Sequence, residues 1–294
     1  MRVVQSLFGL PRLHAAWTFA PGGVIWRIHF SASGLIVGEA RNEGQKRAHF
    51  FCLEEETGRV LWNLLEAPDP WWTGIEAVLQ DVVLLHGYAQ PDMPEHLGIW
   101  AYHLRDGRLL WQDPAATFWF ADADRLYTLR TMVDRRVGAV LDLTTGMPVG
   151  EFEDTFEQLS GIRERSEEAR IPGDMHFPLP LDLADLPAAA SQRIREQLRD
   201  DAVVGGIEVI NHRGKLAFNF HRNCRRRPED PPSLENRLVI LDQETGRVLF
   251  AETIQTNARA PVPDSFFLKG PRLLFVREGT TLTALPLWKS SPNG

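Results

Sequence analysis

A short phrase occurs four times in this chain, and it constrains the fold more than any other feature. Each copy has a short apolar run, a polar turn that contains glycine, and a second apolar run. The copies lie at 53–62 (LEEETGRVLW), 104–111 (LRDGRLLW), 141–150 (LDLTTGMPVG) and 241–250 (LDQETGRVLF). A glycine turn between two such runs is typical of antiparallel strands that follow each other closely. The sequence therefore predicts a β-repeat protein, and the repeat specifies an architecture without specifying an activity.

The spacing of the repeat indicates the kind of β-structure. The first three turn glycines, Gly58, Gly107 and Gly146, follow one another at intervals of about 40 to 50 residues. In the second repeat, three strand-like segments precede the turn and a fourth follows it, at 74–79, 82–87, 97–103 and 108–111. Four short antiparallel strands at this period are typical of a propeller blade. We therefore predict an all-β fold, a five-bladed β-propeller of four-stranded antiparallel blades.

Boundaries for one propeller domain over residues 1–294 follow from the same alignment. The last unit supplies three strands only, so we expect the N-terminal strand to complete it and close the ring. A polar, partly helical segment separates the third and fourth units and is predicted to be an insertion. The expected ranges are 22–65, 72–113, 117–150 and 203–254 for blades 1 to 4, 264–288 with 12–19 for blade 5, and 151–201 for the insertion.

The pattern Leu-Asp-x-x-Thr-Gly-x-x-Leu-Trp resembles the repeat of PQQ-like (quinoprotein-type) β-propellers. The segment from Trp17 to Trp62 fits one such repeat nearly from end to end, and the resemblance covers most of the chain outside 151–201. It implies the fold and no activity. Quinoprotein dehydrogenases have eight blades, an export signal and an adjacent-cysteine disulfide, and we expect none of these features in this chain. The chain is closer in character to small uncharacterised bacterial propellers, and no PQQ or other cofactor is expected.

Charge and composition exclude several classes of function. Asp and Glu number 39 against 32 Lys and Arg, giving a net charge of −7, so neither nucleic acid nor an anionic membrane is an expected partner. No apolar run approaches the roughly 20 residues of a membrane span, and the N-terminus has no secretory apolar segment. The two cysteines, Cys52 and Cys224, form no disulfide framework. A cytoplasmic location is therefore predicted.

The longer loops are expected to share one face of the propeller, where binding usually occurs. These loops are 42–47, 68–73, 89–96, 151–201 and 222–232. Trp71 and Trp72 lie in the second of them, either as a platform for a sugar or a partner, or as a wedge between neighbouring blades. An unidentified protein or small molecule is the expected partner.

One position in the innermost strands has an unusual composition. Alignment on the following turns places five residues there, namely Trp26, Glu76, Trp119, Glu208 and Ser265. Indoles alternating with carboxylates could hold a cation, a polyamine or a sugar ring near the mouth of a central channel. The alternative is structural, because inner strands often carry polar residues and tryptophan fills a narrow channel.

Two functions remain open at this stage. A non-catalytic binding or scaffold protein is favoured, since the chain lacks the motifs of common catalytic sites and no catalytic residue is assigned. The alternative is a carbohydrate-binding or glycoside-hydrolase-like enzyme that uses Glu76 and Glu208, provided that both carboxylates face one cavity. No metal site is predicted, because no pair of histidines has a ligand-like spacing with a carboxylate.

Overall fold

The computed structural model describes residues 13–63, 67–91, 93–132, 136–152, 156–168, 173–181, 184, 186–198, 203–225, 227 and 229–288. Over these ranges the chain forms strands throughout, with two helices. The predicted all-β character is therefore confirmed. None of the helices in the described ranges is both long and apolar enough to cross a membrane.

Three antiparallel four-stranded sheets follow one another along the first half of the chain, and in each the strand order is the chain order. The first sheet contains β2 (Val24–Phe30), β3 (Leu35–Asn42), β4 (Arg47–Glu54) and β5 (Val60–Asn63). The second contains β6 (Thr73–Leu79), β7 (Val82–Tyr88), β8 (His96–His103) and β9 (Leu109–Asp113). The third contains β10 (Thr117–Asp122), β11 (Arg125–Thr131), β12 (Arg136–Asp142) and β13 (Pro148–Phe152). The four strands predicted for the second repeat are confirmed.

The two remaining sheets have five strands each. The fourth sheet contains β15 (Leu179–Pro180), β16 (Val203–His212), β17 (Lys215–Asn223), β18 (Leu234–Asp242) and β19 (Val248–Ala258). The fifth has the order β1 (Trp17–Phe19), β22 (Thr281–Pro286), β21 (Arg272–Arg277), β20 (Phe266–Lys269) and β14 (Met175–His176). The prediction of a five-bladed propeller of four-stranded blades is therefore wrong: the chain forms sheets of four and of five strands.

The extra strands come from the segment that we expected to be a separate insertion. Its helices are α1 (Phe156–Glu168) and α2 (Ala188–Leu198), and between them the short strands β14 and β15 join neighbouring sheets. Met175 pairs with Lys269 in the fifth sheet, and Leu179 pairs with Val209 in the fourth. Strands of two residues leave no alternating pattern in a sequence, which is why pattern analysis assigned them to a loop.

The described residues form two compact units, each with its own core. One unit spans Phe19–Gly173 and contains the first three sheets; its core includes Phe50, Cys52 and Ile75, all fully buried. The other combines Asp174–Gly294 with Met1–Thr18 and contains the last two sheets. In that unit α2 packs on the fourth sheet through Ala190 and Ile194.

The repeated phrase owes its tryptophan and its glycine to a contact between successive sheets. Trp111, at the end of the second copy, donates from Nε1 to the Leu143 carbonyl oxygen at 2.9 Å, beside the third turn. A Cβ at Gly146 of that turn would lie 2.5 Å from the indole. Trp62 bonds to Leu104 in the same way at 2.8 Å. The glycine therefore gives the turn its left-handed residue, with φ near +68°, and also leaves room for the ring of the preceding repeat.

The fourth turn is covered by a helix instead. The third copy has Val149-Gly150 where the others have an apolar residue followed by an aromatic one, so it supplies no ring. A Cβ at Gly246 would lie 2.6 Å from the Ala189 carbonyl oxygen of α2, and Arg193 donates from Nε to the Gly246 carbonyl at 3.2 Å. Helix α2 thus takes the place that tryptophan has at the earlier turns.

Candidate functional site

Three of the five aligned inner-strand residues lie at β-bulges. The pairing register shifts between Ile25 and Arg27, between Ile75 and Ala77, and between Phe118 and Phe120. The residues that the ladder skips are Trp26, Glu76 and Trp119. A bulge redirects the side chain of its extra residue and often lies beside a functional site. Trp26, Glu76 and Trp119 therefore share a backbone irregularity as well as an aligned position.

The loop before the second sheet is held rigidly by one aspartate. Asp69 accepts hydrogen bonds through Oδ1 from the backbone amides of Trp71 at 2.8 Å and Trp72 at 2.5 Å. The Thr73 hydroxyl donates to the Asp69 carbonyl oxygen at 2.9 Å, and the Pro70 carbonyl accepts from the Ala48 amide at 2.6 Å. Both indoles therefore project from a fixed backbone instead of a mobile loop.

A buried ion pair fastens the same loop to the first sheet. Glu39 is 1% exposed, and Nε and Nη2 of Arg41 both lie 2.6 Å from its Oε1. Arg41 also donates to the carbonyl oxygens of Trp71 at 2.8 Å and Thr73 at 2.7 Å, while Glu39 Oε2 accepts from the Ile75 amide at 3.0 Å. Nη1 and Nη2 of Arg41 and Oε2 of Glu39 thus bind backbone in and just after the loop 68–73, which we call the tryptophan loop.

The tryptophan loop faces an open cavity of about 750 Å³, which we call the tryptophan cavity. Its aromatic walls are Trp26, Trp71, Trp72 and Tyr88, and its charged rim is Arg41, Glu43, Lys46 and Asp69. The ring of Trp72 meets Tyr88 edge to face at 5.8 Å. This volume lies within the range of small-molecule sites. The turn 42–47 and the loop 68–73, which the sequence placed on one binding face, both line it.

Two of the aromatic surfaces differ in how they are used. Arg41 and Lys46 lie over the Trp71 ring at 5.1 and 4.8 Å, so that ring already has cationic partners. Trp26 is 61% exposed and presents an open indole surface. Neither Glu43 nor Lys46 makes an ion pair within the described part of the unit. The rim groups that can still form an ion pair or hydrogen bond with a ligand are therefore the ammonium group of Lys46 and the carboxylate of Glu43.

Beside the cavity, a carboxylate and two histidines come together. Potential ligand atoms of Glu76, His86 and His96 all lie within 4.8 Å of one another. Glu76 Oε2 is 2.8 Å from His96 Nδ1, and the two imidazole rings stack with centroids 3.5 Å apart and planes 13° apart. Tyr88 contacts both rings, at 5.0 and 5.5 Å, and also lines the tryptophan cavity. The cluster and the cavity are therefore adjacent.

His86 has a lone pair without a partner. The residue is 1% exposed, and its Nδ1 lies 3.0 Å from the Gly87 carbonyl oxygen, which can only accept a hydrogen bond. The ring hydrogen therefore belongs on Nδ1, and Nε2 is a buried acceptor with no hydrogen-bond partner among the described residues. Burial is the main cause that lowers the pKa of His86 to about 4, which keeps the ring neutral at ordinary pH.

Glu208 belongs to the other unit and has different surroundings. Burial, followed by the charge of Asp264, raises the pKa of Glu208, while a hydrogen bond from Asn219 opposes the rise. Its Oε2 is buried and has no hydrogen-bond partner in the described residues. Asn219 and Asn236 both donate to the Ser265 hydroxyl, at 3.1 and 2.7 Å. The sequence-predicted residues Glu208 and Ser265 thus share one polar network.

The predicted site residues fall into four places, one of which is the network of Glu208 and Ser265. Trp26, Trp71 and Trp72 line the tryptophan cavity, and Glu76 lies in the neighbouring cluster. Trp119 packs between Phe120 and Phe152 at 5.0 and 5.6 Å, which is a structural environment. Trp71 lies under Arg41 of the first sheet and Trp72 meets Tyr88 of the second, so both alternatives for this pair stay predictions.

Sequence analysis missed His86 and His96 as a pair. Tyr88 pairs directly with His96 across β7 and β8, and His86 lies on the same face of its strand two residues earlier. That register would have predicted the cluster, but the loop between these strands leaves the register unspecified in the sequence.

Part of the chain matches a known family model. Residues 31–111 match the model of a family described as a domain of unknown function (DUF4905), a match that covers less than half of the chain. No curated protein matches the sequence significantly.

Solved structures similar to this one include β-propeller proteins and uncharacterised ones. One is the β-propeller domain of the Trilobed protease from Pyrococcus furiosus, at 11% identity and a TM-score of 0.31; the match covers 85% of this chain and 62% of that one. Another is an uncharacterised protein from Listeria monocytogenes, at 11% identity and a TM-score of 0.33, with 93% and 97% covered. Scores this low support no statement about what the chain binds or does.

Proposed function

We propose that this chain is a non-catalytic binding protein and that its ligand is a carbohydrate ring held in the tryptophan cavity. The observation that carries the proposal is the open indole surface of Trp26 beside the rigid Trp71-Trp72 loop. The apolar face of a sugar ring packs on an indole, and its hydroxyl groups both donate and accept hydrogen bonds. At the rim, the carboxylate of Glu43 can accept hydrogen bonds and the ammonium group of Lys46 can donate them.

The other ligands considered for these residues fit the cavity less well. A polyamine needs several open carboxylates, but Asp69 is already bonded to two backbone amides and Arg41 with Lys46 would repel it. A nucleotide would use an indole for its base and Lys46 for a phosphate, yet the adjoining carboxylate of Glu43 opposes an anion. A neutral polyhydroxylated ring meets no such opposition.

Replacing Trp26 by alanine tests this proposal. We expect saccharide affinity to fall about tenfold, the equivalent of about 1.4 kcal/mol, because the open platform is lost. The melting temperature should stay unchanged, since the side chain is 61% exposed. Isothermal titration calorimetry with neutral mono- and oligosaccharides, a nucleoside triphosphate and spermidine measures the effect.

The matched control is Trp119→Ala, which removes the tryptophan from the equivalent bulge outside the cavity and should leave saccharide affinity unchanged. Saccharide binding that survives in the Trp26 variant would contradict the proposed site. Binding of the nucleotide or spermidine without any saccharide would replace the proposed ligand class.

A glycoside hydrolase that uses Glu76 and Glu208 stays a prediction. The pKa of Glu208 is raised by burial and by the charge of Asp264, which is the direction that a general acid requires. Release of reducing ends from oligosaccharides by the wild type, abolished in both Glu76→Gln and Glu208→Gln, would establish this activity.

We also propose that the repeat is of the PQQ-like β-propeller type. A cytoplasmic location is proposed as well. The two cysteines are unpaired, which favours a reducing compartment. Absorbance of a bound quinone in the purified protein would contradict the expectation that no cofactor is used.

A further inference from the structure

We propose that Glu76, His86 and His96 bind a divalent transition-metal ion at the edge of the tryptophan cavity. This inference goes beyond the proposed carbohydrate site and does not depend on it. Two imidazoles and one carboxylate form a ligand set that zinc and its neighbours in the first transition row accept. Magnesium and calcium prefer oxygen donors, so a set with two nitrogen donors selects against them.

The first argument is the state of His86. A metal-binding histidine usually donates its second ring hydrogen to a carboxylate or a backbone carbonyl, which fixes the tautomer and orients the lone pair. His86 has this arrangement: Nδ1 is bonded to the Gly87 carbonyl oxygen and Nε2 is buried with no hydrogen-bond partner among the described residues. A buried acceptor left without a donor costs free energy, which a bound cation would recover.

The second argument is the spacing of the three groups. Zn–N bonds of about 2.0–2.1 Å place two imidazole nitrogens on a tetrahedral ion about 3.3 Å apart. Potential ligand atoms of the three residues lie within 4.8 Å of one another here, and Glu76 Oε2 is 2.8 Å from His96 Nδ1. The three donors can therefore share an ion once the stacked His96 ring turns toward Nε2 of His86. His96 has the freedom to turn because 30% of its side chain is exposed, whereas His86 is fixed.

The third argument is access. The side chain of Glu76 is 16% exposed and that of His96 is 30% exposed, so an ion can enter from the solvent side. Three protein ligands leave at least one coordination position for water or for a ligand oxygen. Tyr88 contacts both histidines and lines the cavity, so this open position would adjoin the tryptophan cavity.

Zinc titration of the metal-free full-length chain, with any affinity tag removed, tests the site. By calorimetry we expect one Zn²⁺ per chain with micromolar or tighter affinity. His96→Ala and Glu76→Gln should each weaken binding by about 100-fold or more, because each removes a direct ligand. Co²⁺ should give the visible absorbance of a low-coordinate site in the wild type and lose it in both variants.

The matched control is His103→Ala, which removes the histidine of an exposed His103–Asp106 pair in the same sheet. Among the described residues this pair has no third ligand group beside it. Far-UV circular dichroism should be unchanged in the His96 variant, since that side chain is partly exposed. The inference is overturned if the wild type binds no stoichiometric zinc, if the His96 and Glu76 variants bind as tightly as the wild type, or if His103→Ala weakens binding equally.

Discussion

Arg41→Met is expected to destabilise the protein by about 3–5 kcal/mol, because it leaves the buried Glu39 carboxylate without its counter-charge. Glu39 is 1% exposed, and the guanidinium group of Arg41 lies 2.6 Å from its carboxylate. The same change removes two hydrogen bonds to the backbone of the tryptophan loop. Urea unfolding followed by tryptophan fluorescence measures the loss.

Two further variants separate the charge effect from a general effect of arginine removal. Arg59→Met breaks the exposed Arg59–Glu54 pair, and we expect a far smaller change there because solvent screens both groups. The double variant Glu39→Met/Arg41→Met removes both buried charges and should be less destabilised than the sum of its single variants. Equal stability of Arg41→Met and Arg59→Met would contradict a structural role for the buried pair.

The same variant connects stability with binding. Arg41 holds the carbonyl oxygens of Trp71 and Thr73, so its loss should loosen the loop that presents two of the cavity's aromatic walls. We therefore expect saccharide affinity to fall in Arg41→Met even under conditions where the chain remains folded. Unchanged affinity would show that the Asp69 turn alone is sufficient to position the loop.

The parts of the fold that could be predicted from the sequence are those encoded locally. A glycine turn, an apolar run on either side and a recurring interval specify the strands of the first three sheets, because each signal lies within a few residues. The alignment on these turns also brought Trp26, Glu76 and Trp119 to one position, which the structure explains as a common bulge.

The parts that could not be predicted depend on pairing across distance. The two-residue strands β14 and β15 have no pattern of their own and exist only because sheet edges accept them. In the sequence, Glu39 and Arg41 look like solvent-exposed residues of a strand. They are buried because the loop 68–73 packs over them. The same holds for His86 and His96, whose proximity follows from the register of β7 and β8.

Gly146→Ala is expected to destabilise the protein by about 2–4 kcal/mol through two separable effects. The residue has φ +68°, where a Cβ costs about 1–2 kcal/mol. The new Cβ would also lie 2.5 Å from the Trp111 indole, which is closer than van der Waals contact allows. Because the indole is bonded to the Leu143 carbonyl oxygen, it cannot move aside without losing that hydrogen bond.

The control for the backbone effect is Gly34→Ala, since Gly34 has φ +74° and its Cβ would meet nothing within 4 Å. Its loss should equal the left-handed strain alone, so the difference between the two variants measures the contact with Trp111. In a Trp111→Ala background that difference should disappear, because the alanine opens the space that a Cβ at position 146 needs. A Gly146→Ala variant that loses no more stability than Gly34→Ala would contradict the idea that the repeat keeps its glycine for the tryptophan of the preceding sheet. The physical logic of the repeated phrase would then be turn geometry alone, and the absence of a ring at the third copy would have no connection with the packing of α2 on Gly246.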